Sequence, residues 1–274
     1  MLEAGPRGWT PLVAINFEVI AGDPTSHVIV HVPHSARYIP DEMRRDILLS
    51  DSDLANELDE MTDSLTTEMV LHATANLSAP PTLFINKFSR LVIDPERFPD
   101  EREIMNQVGM GAVYLKTSKG GQLREANFDP APLIENYFDP YAKALTELVS
   151  SKLQEHGKVL IIDFHSYRNE QHLNAVNHGQ ARPPVCIGTD SFHTPAPLVE
   201  LAKDQFARFG ESVLNQPYAG TYVPLAFYQK EPGVSSIMLE NRADLLVDQN
   251  LNPGARFDEY SKALAEFLTL AANY

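Results

Sequence analysis

The chain has 274 residues, of which 43% are hydrophobic, and this is enough for the core of one large α/β domain or two small ones. Its formal net charge of -15 argues against binding to DNA, RNA or anionic membranes, because their phosphates would repel an acidic surface. The single cysteine, Cys186, excludes an intramolecular disulfide and a thiolate metal cluster. No apolar stretch reaches the length of a membrane span and no signal peptide is visible, so we expect a cytoplasmic protein.

Short apolar runs and helical patterns alternate along the chain. The predicted strands are residues 28–32, 82–86, 91–93, 159–164, 185–188 and 235–240. The predicted helices are residues 51–75 after an N-cap at Ser50, 130–156 with a possible break at Pro140 and a C-cap at Gly157, 195–209, and 258–272. The alternation predicts a single α/β domain over residues 1–274, with three layers (α/β/α) around a mainly parallel or mixed sheet.

Three of the predicted strands run into polar residues at their carboxyl ends. These residues are Pro33-His34-Ser35, His165-Ser166 and Glu240-Asn241-Arg242. Ligand sites in α/β sheets form beyond the carboxyl ends of the strands. If the three strands are parallel neighbours, we expect their polar ends to meet at one edge of the sheet.

Two histidines and a carboxylate are a common set of zinc ligands, and they leave a position open for a catalytic water. His34 and His165 are the candidate imidazoles. The predicted helix 51–75 offers the carboxylates of Glu57, Asp59, Glu60, Asp63 and Glu68. Asp59 and Asp63 are four residues apart and would share a helical face. A solvated acidic helix and structural histidines are the alternative interpretation, and the residues alone leave both open.

Two further residues lie beside His165. Asp163 could accept a hydrogen bond from a ligand imidazole, or it could cap the end of its strand. Ser166 is a poor candidate for a nucleophile, because the chain contains no Gly-x-Ser-x-Gly motif.

Arginines near the strand ends predict a pocket for a small anionic molecule. Arg90 precedes the predicted strand 91–93, and Arg242 follows Glu240. A guanidinium group binds a carboxylate through two parallel hydrogen bonds, so both arginines are candidates for binding a carboxylated substrate. Arg97 is equally suited to ion pairing with neighbouring acids.

The segment 215–222, NQPYAGTY, is rich in turn residues and polar rings. Asn215, Tyr218 and Tyr222 could line a substrate loop, with Gly220 allowing a ligand to approach the backbone closely. An ordinary surface loop is the alternative interpretation of this segment.

Six segments resemble the N-formylglutamate amidohydrolase family, and they occur in the order found in that family. They are VPHSARYIP (32–40), MTDSLTTEM (61–69), FSRLVIDPERFPDE (88–101), IDFHSY (162–167), NQPYAGTY (215–222) and MLENRADL (238–245). The resemblance implies a fold related to zinc carboxypeptidases and aspartoacylase. It also implies an enzyme that hydrolyses the amide bond of an N-acylated acidic amino acid, with formyl as the expected acyl group. N-formyl-L-glutamate would then give formate and glutamate, as in histidine degradation.

The resemblance further implies roles for individual residues. Zinc would be held by His34, Asp63 and His165, the general base would be Glu240, and the substrate carboxylates would be bound by Arg90 and Arg242.

The chain departs from the family pattern at two places. Thr67 stands where the family often has an acid, and Asp94-Pro95-Glu96-Arg97 stands where many members read Asp-Leu-Asn-Arg. Two other functions stay open at this point: hydrolysis of a different N-acyl amino acid or peptide-like amide, and non-catalytic sensing of a carboxylated metabolite.

Overall fold

A mixed β-sheet forms the centre of the molecule. The computed structural model describes residues 15–175 and 179–274. The strands are β1 (Phe17–Ile20), β2 (Val28–Val32), β3 (Thr82–Asn86), β4 (Val159–Tyr167), β5 (Val185–Gly188), β6 (Ser212–Leu214) and β7 (Val234–Arg242). They form one seven-stranded sheet in the order β1-β3-β2-β4-β7-β5-β6.

The four central strands, β3, β2, β4 and β7, are parallel neighbours. The edges of the sheet are antiparallel to this centre, because β1 pairs with β3 and β5 pairs with β7 in the antiparallel sense. Every residue of β2, β3 and β4 is buried, as expected for strands covered on both faces. The predicted mixed α/β sheet is therefore confirmed.

Helices cover both faces of the sheet. They are α1 (Asp41–Arg44), α2 (Asp51–Met61), α3 (Thr66–Thr74), α4 (Ala131–Leu133), α5 (Asp139–His156), α6 (Ala196–Phe206) and α7 (Phe257–Ala271). Alternate residues of β2 belong to the cores on opposite faces of the sheet. Val30 packs in the core with buried residues of α3, α6 and α7, whereas Ile29 packs in the core with Leu145 of α5. None of the helices in the described ranges is long and apolar enough to cross a membrane.

The prediction of one helix over residues 51–75 is wrong. Ser50 does accept a hydrogen bond from the Asp53 amide as the predicted N-cap, but α2 ends at Met61 and α3 begins only at Thr66. Leu65 has a left-handed backbone (φ 55°), and the Asp63 amide donates to the His34 carbonyl at 3.0 Å. A contact with the end of β2 thus replaces the helical hydrogen bonds, and Asp63 does not share a helical face with Asp59.

Other predicted elements differ less from the structure. The predicted strand 91–93 is wrong, because these residues form a turn without strand pairing. The helical region before β4 is confirmed, but a π-helical turn (Ile134–Phe138) joins α4 to α5, and Pro140 lies in the first turn of α5. Gly157 ends α5 with φ 70°, as predicted for a C-cap. The edge strands β1 and β6 lack continuous apolar runs and were not predicted.

Candidate active site

The polar ends of β2, β4 and β7 meet at one edge of the sheet, as the sequence predicted. His165 of β4 pairs in register with Glu240 of β7, and His34 lies two residues beyond the end of β2. The amide of Asp63 donates to the carbonyl of His34, so the break between α2 and α3 brings a carboxylate to the same place. All four side chains line one cavity.

Three donor atoms of these side chains point at one another. His34 Nδ1 lies 3.3 Å from His165 Nδ1, and Asp63 Oδ2 lies 3.1 Å from His165 Nδ1 and 3.9 Å from His34 Nδ1. Tetrahedral zinc with bonds of about 2.0–2.2 Å places its ligand atoms roughly 3.3–3.6 Å apart. The nitrogen and oxygen donors and their spacing therefore fit a single divalent cation.

Buried carboxylates lie near the opposite nitrogens of both imidazoles. Asp94 Oδ1 is hydrogen-bonded to His34 Nε2 at 2.9 Å. Histidine ligands of metals usually have such a carboxylate behind them, which fixes the ring and its tautomer. Asp163 Oδ1 lies 3.1 Å from His165 Nε2, but this nitrogen has no hydrogen-bond partner among the described residues, and Asp163 is hydrogen-bonded to His31 Nδ1 instead. Asp94 was missed, although it directly follows the apolar run 91–93.

Glu96 is a further carboxylate that sequence analysis missed. Its Oε2 lies 3.3 Å from His165 Nε2 and 3.7 Å from His34 Nε2. These three residues form an alternative set of metal ligands, and Glu96 forms another with His31 and Asp163. The only signal in the sequence was the departure from the family pattern, where Glu96 replaces an asparagine.

Arg90 and Asp94 form the most tightly bonded ion pair of the site. Arg90 Nη2 and Nε donate to Asp94 Oδ2 at 2.6 and 3.1 Å, and Tyr114 donates to the same oxygen at 2.7 Å. Burial raises the pKa of Asp94, but the charges of Arg90 and His34 outweigh it and hold the pKa well below its usual range. Asp94 is therefore an anion that anchors both groups.

Two other carboxyl groups of the site, Glu240 and Glu96, have raised pKa values. Burial raises the pKa of Glu240 to about 8, and its Oε2 has no hydrogen-bond partner among the described residues. Burial and the charge of Asp163 raise the pKa of Glu96 to about 7. Groups with pKa values near neutrality can both accept and return a proton.

The cavity around these residues has a volume of about 710 Å³. It includes seven of the residues that the sequence predicted for the site: His34, Asp63, Arg90, His165, Tyr218, Tyr222 and Glu240. Arg97 also lines it, and the buried Nε of Arg97 has no hydrogen-bond partner in the part of the chain that the structure describes. The cavity therefore combines donor atoms for a metal with cationic groups for an anion.

The structure does not bring Arg242 and Asn215 to this cavity. Arg242 Nε and Nη2 donate to both oxygens of Asp244, at 2.8 and 3.0 Å, and Nη1 donates to a backbone carbonyl. Asn215 Oδ1 accepts from the amides of Thr189 and Gly220, and its Nδ2 donates to Thr189 Oγ1. Asn215 thus anchors the loop that carries Tyr222.

Comparisons with known proteins agree with this fold. A family model for N-formylglutamate amidohydrolase matches residues 26–247. An N-formylglutamate amidohydrolase from Ralstonia eutropha JMP134 is similar in structure, with a TM-score of 0.78 and 19% identity over 95% of this chain and 98% of that one. A gene product from Agrobacterium tumefaciens has a TM-score of 0.69 and 19% identity over 97% of this chain and 98% of its own. No curated protein gives a significant match.

Proposed function

Because the chain belongs to the N-formylglutamate amidohydrolase family, we propose that it is a metal-dependent enzyme that cleaves the amide bond of an N-acylated acidic amino acid. N-formyl-L-glutamate, which would give formate and glutamate, is the first substrate to test. The observation that carries the proposal is the group formed by His34, Asp63 and His165 in the same cavity as the unpartnered Glu240 oxygen.

His34, Asp63 and His165 would hold the metal, for which zinc is the best match to two imidazoles and a carboxylate. Such an ion, when bound, polarises an amide carbonyl and lowers the pKa of a water molecule towards about 7. We favour Asp63 over Glu96 as the third ligand, because the Nδ1 atoms of both histidines face Asp63. The Nε2 atom of His34, which faces Glu96, is already hydrogen-bonded to Asp94.

Glu240 would act as the general base. It takes a proton from the attacking water and returns it to the nitrogen of the leaving amine. Its burial in the cavity raises its pKa, and a positive charge nearby would lower that pKa again. Its unpartnered Oε2 is free to accept this proton.

Arg90 and Arg97 would bind the carboxylates of the substrate. Both guanidinium groups share Asp94 as a counter-ion, with Arg97 Nε at 3.6 Å from its Oδ2. The Arg97 Nε without a hydrogen-bond partner is available to an anion. This role replaces the one expected for Arg242, which is not among the residues that line the cavity.

The test is metal analysis of the purified protein, followed by hydrolysis assays with N-formyl-L-glutamate with and without a chelator. We expect about one zinc per chain, loss of activity with the chelator and recovery on adding zinc. His165→Ala should lose the metal, whereas His72→Ala, at an exposed position, should keep it. Glu240→Gln should keep the metal and lower kcat by about 10²–10⁴-fold. Full activity of metal-free protein would contradict the proposal.

A further inference from the structure

Besides the proposed metal ligands, the cavity is lined by apolar residues of two segments, and this part of the lining is called the apolar branch. One segment, the first wall, belongs to the α5 region, and the other, the second wall, is the loop after Tyr222. The lining residues of this apolar branch are Phe138, Ala142 and Thr146 on the first wall, and Val223, Pro224, Leu225, Ala226 and Tyr228 on the second. Cavities of about 300–1,000 Å³ suit drug-sized ligands, and this one measures about 710 Å³. N-formylglutamate, with about a dozen non-hydrogen atoms, would leave much of it unfilled.

Both walls of the apolar branch begin beside the site. Tyr141, which precedes Ala142, has its hydroxyl 2.6 Å from His31 Nε2, and His31 Nδ1 lies 2.9 Å from Asp163. The amide of Tyr222, which precedes Val223, donates to the other oxygen of Asp163 at 3.1 Å. A residue adjacent to each wall is therefore linked by hydrogen bonds to Asp163, directly or through His31.

The hydroxyl groups on the walls are already used within the protein. Thr146 donates to the carbonyl of Ala142 at 2.7 Å, and Tyr228 donates to Asp190 at 3.3 Å. The side chains of the apolar branch thus present mainly carbon atoms to a ligand. The arginines that line the cavity are Arg90, Arg97 and Arg168; the first two belong to the segment that follows β3, the third follows β4, and none belongs to these walls.

We propose that the preferred substrate carries an apolar acyl group of several carbon atoms, which lies in the apolar branch while its carboxylates are bound by Arg90 and Arg97. This inference rests on the proposed function and specifies its substrate as an N-(medium-chain acyl) acidic amino acid. Each methylene group buried in the branch should raise kcat/KM about fourfold until the branch is full. Four added methylenes would thus give an increase of about two orders of magnitude.

The experiment compares N-formyl-, N-acetyl-, N-butanoyl- and N-hexanoyl-L-glutamate, together with N-formyl-L-leucine, as substrates of the zinc-loaded enzyme. We expect kcat/KM to rise at least tenfold from the formyl to the hexanoyl compound. Ala142→Leu and Ala226→Leu each enlarge a side chain in one wall, so they should lower kcat/KM for the hexanoyl compound more than for the formyl compound and remove the gain with acyl length. Lys143→Leu is the matched control, because Lys143 is exposed on the same helix and lies outside the cavity lining.

The outcomes separate this inference from the proposed function. Turnover that is highest for the formyl compound and falls with acyl length would overturn the inference and leave the proposed function intact. A preference for N-formyl-leucine over N-formylglutamate, without an effect of acyl length, would assign the apolar branch to the amino acid side chain and also overturn the inference. Zinc-loaded enzyme that hydrolyses none of these amides would overturn both.

Discussion

At the scale of single residues, Asp94 does most to organise the site. It is fully buried, and its two oxygens contact His34, Arg90, Tyr114 and the amide of Glu96. Two of these partners, His34 and Tyr114, lie 60 and 20 residues away in the sequence, so no local pattern distinguishes Asp94 from an ordinary acid in a turn. His34 and His165 could be predicted because each lies within two residues of the carboxyl end of a predicted apolar strand.

Replacement of Asp94 by asparagine should weaken metal binding and destabilise the protein. Asparagine lacks the negative charge that orients the His34 ring. Loss of a carboxylate behind a ligand histidine typically lowers metal affinity 10–100-fold. It would also leave the buried Arg90 without its main counter-ion, at a cost of about 3–5 kcal/mol in the free energy of unfolding. Competition with a coloured chelator measures the first effect, and urea unfolding of the metal-free protein measures the second.

The matched control is Asp100→Asn, because Asp100 forms an ion pair with Arg102 at the surface. This variant should bind zinc as tightly as the wild type. Unchanged zinc affinity in Asp94→Asn would show that Asp94 does not support the proposed ligand His34.

At the scale of elements, the central strands and the helix ends at Ser50 and Gly157 could be predicted, but the end of α2 could not. β2, β4 and β7 contain short, mainly apolar runs, which are typical of strands buried on both faces. The break after Met61 was invisible, because residues 62–65 form it through the contact of Asp63 with the end of β2. A helical pattern reports local preference, whereas this interruption depends on a tertiary hydrogen bond.

The loop from Asn215 to Tyr222 gives the prediction at this scale. Asn215→Ala should loosen the loop, because it removes the hydrogen bonds of Asn215 with Thr189 and Gly220. Each of these three bonds contributes about 0.5–1.5 kcal/mol, so the free energy of local opening should fall by about 1.5–4.5 kcal/mol. Amide hydrogen exchange of residues 216–223 in the substrate-free protein measures this effect.

A direct contact of Asn215 with substrate would give a different result. In that case Asn215→Ala would raise KM without changing exchange in the substrate-free protein. Thr189→Ala removes one side of the same contact. It should speed exchange in the same residues, and the two substitutions together should have less than the sum of their effects.

At the scale of the whole molecule, the sequence predicted the layers and the functional edge of the sheet. β-α-β alternation implies parallel neighbours, and parallel neighbours bring their carboxyl ends together. The sequence did not predict the strands at the two edges of the sheet, since β1 and β6 are short and only partly buried. Nor did it predict the apolar branch of the cavity, because α5 and the loop after Tyr222 meet there only through folding.

Stability of the whole chain should fall in mild acid because of His27, which is buried just before β2. Burial and the charge of Lys158 lower its pKa from 6.5 to about 4, and its Nε2 has no hydrogen-bond partner among the described residues. Between these pH values the unfolded chain binds a proton that the folded chain does not, so the free energy of unfolding decreases as pH falls, by up to about 3 kcal/mol.

Urea unfolding at pH 7 and pH 4.5 should show a smaller decrease in the free energy of unfolding for His27→Gln than for the wild type. His72→Gln, at an exposed position, should keep the wild-type decrease, and equal pH dependence in all three proteins would exclude His27 as the cause.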